Sequence, residues 1–292
     1  MDDSSTGYYQ SNGFSDGNLG SKLQKIKQPR KKILVLGFWN DTPVGDDSIG
    51  LFAAEELKRG LSLGRKVVFP DEKIATAVTR DFVDGDRVQA SQLVREGKRV
   101  GVNTIVIGRI SKIVYRQNRE EVGILREAET AVAVDVEMKV FDANTGREVH
   151  AAKRSGASVS TAHIVFDEDA LSSKASRNEI AKDAIADAVR KMIDEVNLAM
   201  EKMDWQGRVA KLVGNKVYVN AGRASGLIAG DILKVMSPGE EIVDPITKSY
   251  LGRSEGMLKG TLEVSEFIGK DTSMATIHTG GNFQEGDIVR LY

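Results

Sequence analysis

The sequence predicts an α+β, partly α/β, protein: a mixed sheet with flanking helices, followed by a small C-terminal antiparallel β-barrel. Three observations carry this. An unbroken apolar run, ILVLGF (33–38), has the length of a strand buried on both faces. Residues 132–140 alternate with period two, setting Val132, Val134, Val136 and Met138 on one side and Asp135, Glu137 and Lys139 on the other. Near the end, GLIAGDILKV (226–235) and GNFQEGDIVRLY (281–292) repeat one pattern, Gly-Asp ahead of an apolar, apolar, basic, apolar run. Glycine permits the tight backbone and aspartate caps the turn, so each copy reads as a turn feeding a strand.

Taken in order, residues 1–32 are polar and rich in Gly, Ser, Asn and Asp, which reads as a disordered tether. Its end is basic, through Lys22, Lys25, Lys27, Arg30, Lys31 and Lys32, and Tyr8 and Tyr9 offer a docking point for a neighbour. The α/β domain spans 33–203. After the first strand, a helix from Ser48 carries Ile49, Phe52, Ala53, Leu57 and Leu61 on one stripe. KVVF (66–69) is a short strand; Pro70 and Asp71 start a helix bearing Ile74, Ala77 and Val78. Another helix, over 86–99, presents Ala90, Leu93 and Val94 and ends at Gly101. Strands follow at 103–115, 128–141 and 147–160, with a charged segment between the first two and a hairpin turn at Asp142–Gly146. A single long helix closes the domain, started by a capping box at Ser176 and Glu179 and striped by Ile180, Ala184, Ala188, Met192, Val196, Met200 and Met203. A short linker at Asp204-Trp205 leads to the barrel, 206–292, whose strands are short and separated by turn signals every 8–14 residues. Its loop from Glu240 to Leu251 is long for a hairpin and contains Pro245, which marks a candidate functional surface.

Composition bounds the function. A chain of 292 residues favours two domains, and 41% hydrophobic with 28% charged residues is an ordinary globular balance. A net charge of −1 supplies no positive field to recruit phosphate backbones, and the basic residues Arg109, Lys112, Arg116 and Arg119 are offset by Glu120, Glu121, Glu127 and Glu129, so no nucleic-acid partner is expected. The absence of cysteine excludes disulfides and thiolate chemistry. No apolar run reaches the ~20 residues of a membrane helix. The polar start Met1-Asp2-Asp3-Ser4 is no signal peptide, which fits a mature envelope chain as well as a cytoplasmic one.

A search for chemistry yields no catalytic, cofactor-binding or metal site, so no enzyme and no cofactor are expected. His150, His163 and His278 are scattered, and His163 with Asp167-Glu168-Asp169 is one imidazole short of a convincing metal set. Asp142, Asn144 and Gly146 imitate the start of a calcium loop, but the twelfth position is Lys153 rather than glutamate. GLSLGRK (60–66) and GRASG (222–226) lack the spacing of a phosphate loop. Glu55-Glu56 and Glu120-Glu121 read as solvated carboxylates.

KKILVLGFWND (31–41), TIVIGRISKI (104–113) and VAVDVEMKVFDANTGREVHA (132–151), with the closing helix, resemble the CsgG/HfaB curli-secretion family and the related TolB-N-like domain. Within them, Asp142, Thr145, Gly146 and Glu148 carry the hairpin. The C-terminal part, with GRVAKLVGNKVYVNAGRASGLIAGDILKV, EEIVDPITKSYLG and GDIVRLY, resembles the C-terminal domain of the flagellar assembly protein FlgT. The resemblance implies a non-enzymatic envelope protein, periplasmic or associated with the outer membrane, that assembles into homo-oligomeric rings with other flagellar or secretion proteins. The first expectation is a ring component of a flagellar basal body; the alternative is a secretion channel or accessory for curli or holdfast export. Channels of this family insert two hairpins per subunit into the membrane. Here the segment 116–127 carries Arg116, Arg119, Glu120, Glu121, Arg126 and Glu127, and the segment 155–176 has only Ile164-Val165-Phe166 before an acidic trio. Lipid-facing charges cost ~2–4 kcal/mol each near mid-bilayer, so no membrane pore is expected.

Overall fold

The structure, a computed structural model, describes residues 28–70, 78–85, 87–122, 125–164 and 174–292, with the backbone alone at 117–122, 125–128, 161–164 and 174–176. Tyr8, Tyr9, Lys22, Lys25 and Lys27, the helix expected from Asp71 through Ile74 and Ala77, and Asp167-Glu168-Asp169 lie outside the described residues.

Two bodies of different architecture are joined in series. In the first, strands β1 (Lys31–Val35), β3 (Val67–Val68), β6 (Thr104–Val122), β7 (Leu125–Asp142) and β8 (Glu148–Ile164) form a sheet in the order β3-β1-β6-β7-β8, and β2 (Trp39–Asn40) pairs with β6. Pairs among β1, β2, β3 and β6 are parallel, while β6-β7 and β7-β8 are antiparallel, so the sheet is mixed. The apolar run at the start of β1 is buried on both faces. Ile33 and Val35 pack with the helices α1 (Asp47–Leu63), α3 (Lys174–Arg190) and α4 (Ile193–Glu201), and Leu34 and Leu36 with α2 (Ala90–Val100) on the other side. The alternating positions Val132, Val134, Val136 and Met138 all lie in the first of these cores. Each such side chain contributes about 1.5–3 kcal/mol by leaving water.

Local chemistry sets the helix ends. Asp46 caps α1 by accepting the Ser48 N–H at 3.0 Å, and Ile49, Ala53, Leu57 and Leu61 are buried along its stripe. Gly101 ends α2 in the left-handed conformation, φ 75°. Gly156 lies where β8 and α3 nearly touch: a Cβ there would stand 1.9 Å from the Ala184 carbonyl oxygen.

Several expectations need correction. Order starts earlier than Ile33: Lys31 is already in β1, and Arg30 donates its N–H to the Ser225 carbonyl at 2.7 Å. The last residues of the expected tether are therefore docked: besides the Arg30 backbone bond, Lys32 Nζ reaches the Asn220 carbonyl and Asp271 on the barrel. Val78 is extended rather than helical and precedes a single 3-10 turn, Thr79–Phe82. Residues 87–88, expected at a helix start, form β5 (Arg87–Val88), paired with β4 (Val83–Asp84). The charged segment 116–127 is largely strand, since the β6-β7 ladder continues through it to Val122 opposite Leu125. The closing helix is two helices. Ser176 lies inside α3 rather than ahead of it. At the break, Met192 donates to the Val189 carbonyl three residues back, and Asp194 and Glu195 then occupy the first turn of α4, where acidic groups favour a new N-terminus.

The second body is a closed barrel of six strands: β9 (Gly207–Val213), β10 (Lys216–Val219), β11 (Ile232–Met236), β14 (Leu258–Ile268), β15 (Thr272–Gly280) and β16 (Ile288–Leu291), in the order β10-β15-β14-β11-β16-β9 with β9 returning to β10. Its core holds Trp205, Val209, Val217, Val219, Leu233, Val235, Leu262, Val264 and Val289, supplied by alternate strand positions. β12 (Glu241–Val243) and β13 (Tyr250–Arg253) form a separate hairpin beside it.

Candidate functional site

The residues weighed for chemistry have structural partners. His150 Nε2 lies 2.9 Å from Glu195 Oε2, and Arg154 holds the other oxygen of that carboxylate at 2.6 Å. His278 is exposed on β15, and nothing brings the two imidazoles together; the His163 side chain lies outside the described set. Among the described residues, no group of three or more His, Asp or Glu could hold a metal. The Asp142 carboxylate accepts the Asn144 N–H at 2.9 Å while its carbonyl accepts the Gly146 N–H at 2.8 Å, and Gly146 has φ 71°. The apparent calcium loop is a turn.

The glycine-rich candidates are also explained. Gly60 and Leu61 sit inside α1. In GRASG the backbone N–H groups of Gly222 and Ser225 both point at Asp271 Oδ1, at 2.7 and 2.8 Å, so a carboxylate of the protein occupies the place a phosphate would need. The doubled Gly-Asp turns share one geometry. Asp231 accepts the Ile228 N–H at 2.8 Å and Asp287 the Gln284 N–H at 2.7 Å, after Gly230 and Gly286 at φ 90° and 92°. They differ in burial: Asp287 is 1% exposed and takes Lys259 Nζ at 2.8 Å on both oxygens.

Two features remain after this accounting. The first is a ribbon. Past Ile110, where β2 ends, β6 is paired only with β7 among the described residues, and β8 is paired only with β7 along its whole length. The three strands thus extend with no further strand on either outer edge, over ~40 Å for the twelve residues 111–122 at ~3.4 Å each. At the base of the β8 edge, Asp187 of α3 takes the Ala157 N–H and Lys191, just after α3, reaches the Ser155 carbonyl. At its base, the polar face carries a ladder of directly opposed charges. Glu137 accepts Arg109 Nε at 2.8 Å and Lys153 Nζ at 3.1 Å, and although burial opposes it, these bonds with that from Ser111 hold its carboxyl below the ordinary value.

The second is a cleft of about 250 Å³ between the two bodies, lined by Lys98, Asn144, Arg208, Pro238, Arg253, Gly286 and Ile288. Arg208 Nη1 donates to the Lys98 carbonyl at 2.7 Å, near the end of α2. Glu241, on β12, pairs with Lys98 at 3.0 Å and Arg253 at 2.5 Å. Burial, followed by the charge of Arg253, pulls the Arg208 guanidinium below its ordinary pKa. The loop 240–251, singled out in the sequence, is a hairpin whose flanking residues Pro238 and Arg253 line this cleft. Asp244 closes its turn by accepting the N–H groups of Ile246 and Thr247 at 2.8 and 2.7 Å. Arg208 and Asp271 were not anticipated; their partners lie 110 and 239 positions away, beyond any local signal.

No protein-family model matches the chain, and no curated protein matches it either. Solved structures similar to it include a hypothetical protein from Chlamydia trachomatis (10% identity, 59% of this chain and 96% of that one, TM-score 0.35). A lipoprotein from Neisseria meningitidis is similar at 10% identity, over 59% and 99% of the two chains, with TM-score 0.30. A PelC dodecamer from Paraburkholderia phytofirmans is similar at 13%, over 56% and 88%, with TM-score 0.27. At these scores the likeness is too loose to transfer a function, and the resemblance to the CsgG/HfaB and FlgT families rests on the sequence motifs alone.

Proposed function

We propose that the protein is a non-enzymatic scaffold of the bacterial envelope, periplasmic or associated with the outer membrane, whose copies join edge to edge through the β6-β7-β8 ribbon. The observation that carries this reading is the pair of strand edges without a strand partner, of which the β8 edge is free beyond Ala157, whose N–H is taken by Asp187. Unpaired N–H and C=O rows are templates for another strand, and two such edges on opposite sides of one ribbon allow head-to-tail association that closes into a ring. The sequence motifs narrow the setting to a ring component around a flagellar basal body. A secretion channel or accessory is the second reading, favoured by the length of β6 and β7, which exceeds the ~9–11 residues of a membrane strand. Charged residues at both alternating sets of positions, Arg116 and Glu120 in one and Arg119 and Glu121 in the other, weigh against it. Among the described residues no helix is long and apolar enough to cross a membrane.

Size-exclusion chromatography with light scattering tests the assembly. Ser158 and Val159 are neighbours on the open edge of β8, so one of them directs its N–H towards β7 and the other outward. One of Ser158→Pro and Val159→Pro should therefore leave the monomer folded while abolishing the oligomer. A wild-type chain that stays monomeric at high concentration, or an oligomer indifferent to both prolines, would overturn the proposal. Planar-bilayer conductance separates the two settings, since a channel must conduct and a scaffold need not.

A further inference from the structure

The cleft between α2 and the barrel has a charge imbalance that the fold does not resolve. Three cations, Lys98, Arg208 and Arg253, line it, and one carboxylate, Glu241, is shared by two of them. Arg208 has a backbone carbonyl as its recorded acceptor and Arg253 as a near neighbour of like charge. Arg253 gives Nη1 to the Gly239 carbonyl at 2.9 Å and Nη2 to Glu241, while its Nε is buried with no hydrogen-bond partner. Bringing guanidinium groups together out of water costs free energy unless an anion compensates. A local excess of two positive charges matches the −1.5 to −2 of a phosphate monoester near neutral pH. Planar guanidinium groups present paired donors to phosphate oxygens, and Asn144 adds a neutral polar side chain to the same wall. At ~30 Å³ per water, the cleft holds roughly eight waters, enough for a phosphate and a small substituent.

We propose that this cleft is a binding site for a phosphate group, offered as inorganic phosphate or as a small phosphate monoester. The site is assembled only when the two bodies are docked, because Lys98 and Asn144 come from the sheet body and Arg208 and Arg253 from the barrel side. Occupancy would therefore fasten the barrel to α2. This inference is independent of the assembly proposed above, since none of these residues lies on the ribbon.

Isothermal titration calorimetry of the full chain tests it, with inorganic phosphate in one arm, glycerol phosphate in another, and sodium chloride at matched ionic strength as control. One saturable site per chain is expected for at least one phosphate probe and none for chloride; comparing the two probes shows whether the bound group is free or esterified. Arg208→Met should weaken binding about tenfold or more, as loss of a charge-assisted bond does. Asn144→Phe should block the cleft while keeping every cation. The turn there is held by the backbone N–H of residue 144, so this variant stays folded even if Arg208→Met does not. Absence of saturable binding of both probes, or binding untouched by Asn144→Phe, would overturn the proposal.

Discussion

The two bodies solve the edge problem of β-structure in opposite ways. The barrel closes β9 onto β10 and leaves none of its six strands with a free side; the sheet leaves β8 and the outer half of β6 without a strand on one side, and side chains at the end of α3 meet the β8 backbone at Ser155 and Ala157. The charge arrangements follow. In the barrel the Asp287–Lys259 pair is sealed inside, whereas the ribbon spreads its charges as the surface ladder Arg109, Glu137 and Lys153. A closed body gains nothing from pairing with a neighbour. An open ribbon has unspent hydrogen-bonding capacity, and charge at its base discourages non-specific stacking on that face.

Substitutions can break or sharpen this contrast. The largest effect should come from Val136→Pro. β7 is the central strand, with Val136 opposite Ile110 on one side and Arg154 on the other, so a proline removes a ladder bond inside the sheet. A loss of about 3 kcal/mol or more is expected, read by chemical denaturation; normal stability would remove β7 from the centre. Asp287→Ala should cost about 1.5–3 kcal/mol by removing the charged hydrogen bonds to the half-buried Lys259. Gly156→Val should cost about 1–3 kcal/mol by forcing β8 off α3, with a matching fall in melting temperature. Asp231→Ala, at the half-buried counterpart of the Asp287 turn, should lose only the Ile228 bond, worth about 0.5–1.5 kcal/mol. Near-equal losses at 231 and 287 would refute the distinction between open and sealed turns.

The smallest effect is a pH dependence. The hydrogen bond from Lys98 is the main cause that holds the Glu241 carboxyl below its ordinary value of 4.5, against an opposing desolvation. A carboxylate lowered by folding stabilises the native state above its unfolded pKa, and that contribution disappears as pH falls through the lower folded value. The β12-β13 hairpin should therefore loosen from α2 only below pH 4.5, seen as faster amide exchange at 241–253, by less than ~1 kcal/mol for an exposed pair. Loosening that begins near neutrality would implicate another group.

How legible this was in the sequence depended on how local each cause is. The ILVLGF run, the Val132–Met138 alternation, the two Gly-Asp turns and the α1 stripe are set by residues within a few positions of one another, and the structure places each as the pattern predicts, except that the first strand ends at Val35 and Leu36–Phe38 lie beyond it. Residues 116–122 carry no strand pattern. They extend because β7 offers a continuous ladder, and pairing of this kind is invisible to periodicity. The break at Met192 interrupts a stripe that otherwise keeps helical spacing, so the stripe concealed it. Lys32 reads as solvated because its acceptors, Asn220 and Asp271, lie far along the chain. Gly156 was readable in principle, since a glycine inside a strand often marks close approach of another backbone. The cleft joins residues from 98 to 288 and had no sequence signature.

The clasp at the chain's entry has a mechanical meaning. Arg30 is hooked to Ser225, and Lys32 is bolted to Asp271 just as the backbone turns into β1, which runs between the parallel neighbours β3 and β6. Tension arriving from upstream of Gln28 cannot unzip that strand one bond at a time. It must first break the hooks on the barrel, and a pull along the strand must then shear two ladders together.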